Sequence, residues 1–104
     1  MKAELYYFDG CPSHARALDN LIEALASERV HADIATIRVR DAVDARAKRF
    51  IGSPTIRIDG VDLEGPGAEE RAYAFGCRVY TETGHTSGWP SVALIREALR
   101  RAQA

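Results

Sequence analysis

A short apolar run that breaks off into a helix is the feature that most limits what this chain can fold into. Residues 4 to 8 (ELYYF) are mostly aromatic and apolar, and Asp9-Gly10 supplies turn chemistry at their end. From Ser13 to about Arg29, Leu18, Leu21, Ile22 and Leu25 then fall on one helical face, while Arg16, Asp19, Glu23 and Glu28 fall mainly elsewhere. Pro12 stands at or near the first turn, where a missing N–H costs little. The reading is a buried strand feeding an amphipathic helix, with Cys11 at the helix mouth.

The same alternation continues down the chain. Residues 31 to 40 (HADIATIRVR) are β-branched and apolar and predict a second strand. Val43, Ala47 and Phe50 can share a face of a short second helix over 42 to 50. Ser53-Pro54 opens TIRID, where Ile56 and Ile58 alternate with Thr55 and Arg57 before another Asp-Gly turn, so a third strand is expected. Residues 61 to 76 begin irregularly and then take helical character, CRVYT (77 to 81) predicts a fourth strand, and TETGHTSG a loop. Pro90 to Gln103 closes the chain as a helix with Val92, Ile95, Leu99 and Ala102 inward. The order β-α-β-α-β-β-α implies an α/β fold with a small mixed sheet flanked by helices, its first crossover parallel and its last two strands antiparallel. In that arrangement the loop after the first strand and the loop before the third meet at one sheet edge, making Cys11 and Pro54 neighbours. A fourth strand antiparallel to the third puts its first residue, Cys77, at the opposite edge, roughly 10 Å or more from Cys11.

Composition narrows the function classes. With 104 residues, 46% of them hydrophobic, the expectation is one domain over residues 1–104 with a single core. Fifteen acidic residues against fourteen Lys and Arg leave no charge excess to attract nucleic acid or an anionic membrane, and neither is expected as a partner. The N-terminal residues lack the pattern of a secretory signal and no stretch approaches a membrane span, so a cytoplasmic home is expected. In a reducing compartment two cysteines are more often free thiols, catalytic groups or ligands than a structural bridge.

DGCP at 9 to 12, GSPT at 52 to 55 and CRVY at 77 to 80, taken in that order, resemble the thioredoxin-like superfamily. Within it they are most similar to small bacterial proteins labelled thioredoxin-like and sometimes alkylmercury-lyase-related. The resemblance implies a thioredoxin-like fold, a cis bond before Pro54 and a reactive Cys11 packed beside it. It points to thiol–disulfide oxidoreductase chemistry without a cofactor, acting on a small thiol such as glutathione or on a protein disulfide. Dithiol members carry C-x-x-C, whereas this chain reads Cys11-Pro12-Ser13-His14 and has no adjacent resolving thiol. A single thiolate favoured by the helix N-terminus can still attack a disulfide, with glutathione finishing the exchange. His14, three residues on, can share a face with Cys11 and either stabilise the thiolate as a cation or shuttle a proton. Cys77 is a candidate resolving thiol, against which the topology argues. Alkylmercury lyases pair a C-x-x-acidic helix start with a distant cysteine, and here His14 replaces the acidic group and Gly76 the first of those distant cysteines.

Around the thiols, Pro12, Ser53 and Thr55 are candidate substrate contacts, and topology brings 81 to 89 to the Cys11 edge, where His85 and Trp89 can wall the site. Arg57 and Arg78 offer charge to an acidic thiol, and Tyr73, Phe75 and Tyr80 offer an aromatic contact surface. Cys11 and His14 have ligand spacing and Cys77 with His85 could complete a tetrahedral set, but only one pair is local and no metal is assigned. Soft-metal binding by the thiols, without redox turnover, is the alternative to exchange chemistry.

Overall fold

The computed structural model describes residues 1–103, except the side chain of residue 69. Its elements in chain order are β1 (Lys2–Tyr7), α1 (His14–Glu28), β2 (Asp33–Arg38), α2 (Ala42–Ala47), β3 (Thr55–Ile58), β4 (Val61–Asp62), a 3-10 turn (Pro66–Glu70), β5 (Tyr80–Glu82), β6 (His85–Ser87) and α3 (Val92–Gln103). Four strands make a mixed sheet in the order β2-β1-β3-β4. β1 runs parallel to β2, the crossover being α1, and antiparallel to β3, with Leu5 opposite Ile56 and Ala3 opposite Ile58. No helix among the described residues is long and apolar enough to cross a membrane.

Period-two alternation divides the side chains of β1 between two apolar clusters. Ala3 and Leu5 join Ile56, Ile58 and Leu63 beneath α1 and α3, and that larger cluster takes in Leu21, Leu25, Ile95 and Leu99. Tyr6 points the other way, into a smaller cluster with Val39, Ala45 and Phe50 around α2. The buried stripe of α1 is Ala17, Leu21, Ala24 and Leu25, whereas Ile22 is half exposed. Alanine at two of these positions lets the helix approach its neighbours closely, which rotates the stripe away from the one the leucine and isoleucine positions predict. Glu28 near the end of α1 accepts hydrogen bonds from Arg96 and Arg100 and ties the two long helices together; those bonds hold its carboxyl below the usual range.

The second half of the chain departs from expectation. The sheet takes its fourth strand from Val61–Asp62, directly after the Asp59-Gly60 turn, not from 77 to 81. The helical segment expected before residue 76 is only the 3-10 turn. CRVYT is split: Cys77 makes an isolated parallel bridge to Ser53, and Tyr80–Glu82 pairs with His85–Ser87 as a separate hairpin within what reads as a loop. A tight hairpin after β3 satisfies the sheet edge first, and the chain then returns along the loop that precedes β3.

Candidate thiol site

β1 delivers the chain to Phe8, whose carbonyl accepts a hydrogen bond from the Cys11 N–H at 3.0 Å. That turn places Cys11 just ahead of α1 with only 3% of its surface exposed. Ser13 occupies the N-cap position without using its side chain as a cap, and Pro12 is exposed beside it. His14 opens the helix. Its Nδ1 lies 2.9 Å from the Cys11 carbonyl oxygen, and its ring stacks on Tyr7 at 4.5 Å between centroids. A carbonyl can only accept, so Nδ1 carries the proton and donates. The imidazole therefore holds the turn that carries the thiol, its hydrogen bond going to the Cys11 carbonyl.

The loop before β3 packs against this turn. The Ser53–Pro54 bond is cis, and the Phe8 N–H donates to the Ser53 hydroxyl at 3.4 Å. Ser53, Pro54 and Thr55 are all buried. Thr55 donates its hydroxyl proton to the Gly52 carbonyl and accepts from Arg78, which leaves it no surface for a substrate; its role here is to brace the loop. The Tyr80 hydroxyl donates to the Pro54 carbonyl from behind, and burial pushes that phenol well above its ordinary pKa. Tyr80 is thus a core residue and not part of a contact surface.

Cys77 lies on the same side. The Ser53 N–H donates to the Gly76 carbonyl at 2.8 Å and the Arg78 N–H donates to the Ser53 carbonyl at 2.9 Å, so Cys77 sits directly across from Ser53. This overturns the placement of Cys77 at the far edge, because the antiparallel partner of β3 is Val61–Asp62 and the returning segment is parallel to residue 53. Ser53 is therefore common to both thiol segments, through its hydroxyl to Phe8 and through its backbone to the residues flanking Cys77. Both cysteines are free; Cys11 is buried and Cys77 exposed.

A buried charge cluster fixes the returning segment. Arg78, 2% exposed in its side chain, donates to both oxygens of Asp62 at 2.7 and 2.8 Å and to Glu64 at 2.6 Å. Burial favours release of its proton, but the hydrogen bonds Arg78 donates to Asp62 and Glu64, with the negative charge beside it, more than offset this and raise the Arg78 pKa. The Arg78 side chain also lies over Tyr80, and a Cβ added at Gly52 would come within 2.8 Å of the Arg78 Cβ; Gly52 has φ +129°. Arg57 spends its guanidinium on the carbonyls of Lys48 and Arg49 and on the Tyr6 ring. Neither arginine is presented to a ligand in the way the sequence suggests.

Trp89 reaches the helix mouth. Arg16 of α1 lies 4.9 Å from its ring centre, and a Cβ at Gly88 would press within 2.8 Å of the Ser13 hydroxyl. His85 instead stands exposed at the turn end of the β5-β6 hairpin, opposite Glu82. Among the described residues, no three His, Cys, Asp or Glu side chains are gathered as a metal site. Two aromatic groups that the sequence does not single out for the Cys11 turn also border it: Tyr7 beneath His14, and Phe8, which meets Phe75 at 5.0 Å. A strand-end pair Tyr7-Phe8 directly before Asp-Gly is the one signal that could have marked them. Comparison with protein-family models, curated proteins and solved structures gives no match.

Proposed function

We propose that this chain is a thioredoxin-like thiol–disulfide exchange protein whose reacting groups are Cys11 and Cys77. The observation that carries this reading is the double use of Ser53, which joins the helix-mouth turn of Cys11 to the segment of Cys77. The strand order, the parallel β1-α1-β2 crossover and the proline loop ahead of β3 support the same assignment. In the exchange, one protein thiolate attacks a sulfur of the partner disulfide, a protein–partner S–S bond forms, and the partner's other sulfur leaves as a thiolate. The second protein thiol then attacks the mixed disulfide, releasing the partner's remaining thiol and leaving a Cys11–Cys77 bond. Two external thiols, for which glutathione serves, reduce that bond and become a disulfide.

The test is turnover of a small disulfide with reduced glutathione as donor. Wild-type protein is expected to accelerate the exchange, and the double variant Cys11→Ser, Cys77→Ser to abolish that acceleration while leaving the fold intact by circular dichroism. No acceleration by wild type, or full activity in the double variant, overturns the reading.

A further inference from the structure

From the environment of Cys77 we infer that the site's partner is an extended, uncharged stretch of polypeptide carrying a disulfide, and that Cys77, not Cys11, is the thiol that meets it. This rests on the exchange chemistry proposed above and specifies its substrate class and order of attack.

Accessibility is the first ground: Cys11 is 3% exposed while Cys77 is an exposed residue. A disulfide within a polypeptide is flanked by backbone and side chains and cannot reach a thiol buried to that degree without displacing the turn. Backbone pairing is the second. The bridge to Ser53 uses the Gly76 carbonyl and the Arg78 N–H. In a parallel ladder the residue between them directs its own N–H and C=O to the other side. Those groups of Cys77 have no partner among the described residues. An unpaired strand edge is a template for an added strand, with main-chain bonds giving affinity and alternate side chains giving selectivity.

Charge is the third ground. Along 75 to 80, Arg78 and Tyr80 are buried whereas Phe75 and Val79 are 42% and 58% exposed, so the outward face around Cys77 is apolar and uncharged. The two strand arginines that could have met the carboxylates of glutathione are committed elsewhere, Arg78 to Asp62 and Glu64 and Arg57 to backbone carbonyls. An uncharged peptide matches this face; a small anionic thiol does not. Arg78, anchored in the core by Asp62 and Glu64, keeps Cys77 opposite Ser53 whether or not a partner is bound. The first step then balances simply: the Cys77 thiolate attacks the peptide's sulfur, a Cys77–peptide S–S bond forms, and the displaced sulfur leaves as a thiolate that takes up the proton Cys77 has lost.

Two probes with one leaving group test this: a seven-residue uncharged peptide with a central cysteine activated as its 2-pyridyl disulfide, and glutathione activated in the same way. Stopped-flow release of the pyridine thione, with mass spectrometry of the adduct, is expected to show the peptide reacting at Cys77 about tenfold faster than the glutathione probe. N-methylation of the peptide backbone is expected to abolish the advantage, and Phe75→Ser with Val79→Ser to reduce it. Equal rates for the two probes, or a first adduct on Cys11, overturn the inference while leaving exchange chemistry standing. Failure of both cysteines to react faster than a free unfolded thiol overturns the exchange reading itself.

Discussion

The two thiol segments are held in place by opposite means. Cys11 is set by its immediate neighbours: the turn bond to Phe8, the His14 bond to its own carbonyl and the Tyr7 stack all lie within four residues of it. Cys77 is set from a distance, by Ser53 twenty-four positions upstream and by the ion pair of its neighbour Arg78 with Asp62. A thiol fixed locally keeps its place if the rest of the chain loosens. One fixed by long-range contacts keeps its place only while those contacts last, so the position of Cys77 depends on the tertiary fold in a way that the position of Cys11 does not.

Breaking the long-range arm should have the largest effect. Arg78→Met leaves the buried Asp62 carboxylate without its partner, and a loss of about 3–5 kcal/mol is expected in urea unfolding. Amide exchange at residue 78 should rise sharply, with little change at residue 11. Equal loosening of both segments would show that they form one unit.

The local arm is weaker. His14→Ala removes one hydrogen bond and a ring stack, for an expected cost of about 1 kcal/mol. Its effect should be confined to the Cys11 turn, seen as faster alkylation of Cys11 in native protein with the Cys77 rate unchanged. Acceleration at Cys77 as well would show that the turn and the returning strand are coupled through Ser53.

A third charge group, wholly local, sharpens the contrast. Asp44 of α2 accepts from the Lys48 ammonium, from the Arg40 N–H and from the Arg40 side chain, which together bring its pKa down to about 2. A carboxylate depressed in the folded state stabilises it above the unfolded pKa of about 4 and loses that contribution as pH falls toward the folded value. The stability gap between wild type and Asp44→Asn should therefore be constant near neutrality and close between roughly pH 4 and 2. A gap that persists in acid would show that Asp44 acts through packing and not charge.

The same division explains what the sequence made legible. β1 and β2 announce themselves as apolar, aromatic or β-branched runs and α1 and α3 through period 3.6, and the turn that carries Cys11 lies between the first two elements. β4 has two residues and β5 and β6 three each, too few for any period to register. Where the chain goes after Asp62 is decided by a buried pair between residues sixteen positions apart, and nothing in the types Asp and Arg alone names that partner. The alternation of Phe75, Cys77 and Val79 against Arg78 and Tyr80 was present to be read, but an arginine on the inward side argues against the inward assignment until its acid is known.

Trp89 gives the molecule an optical handle. It is the chain's sole tryptophan, it sits under the Arg16 guanidinium, and the glycine before it abuts the first turn of α1. Indole emission is therefore a signal from one place, the mouth of the helix that follows Cys11. A shift in its intensity or wavelength would report rearrangement of that turn in unlabelled protein and in real time, without a dye competing for either sulfur.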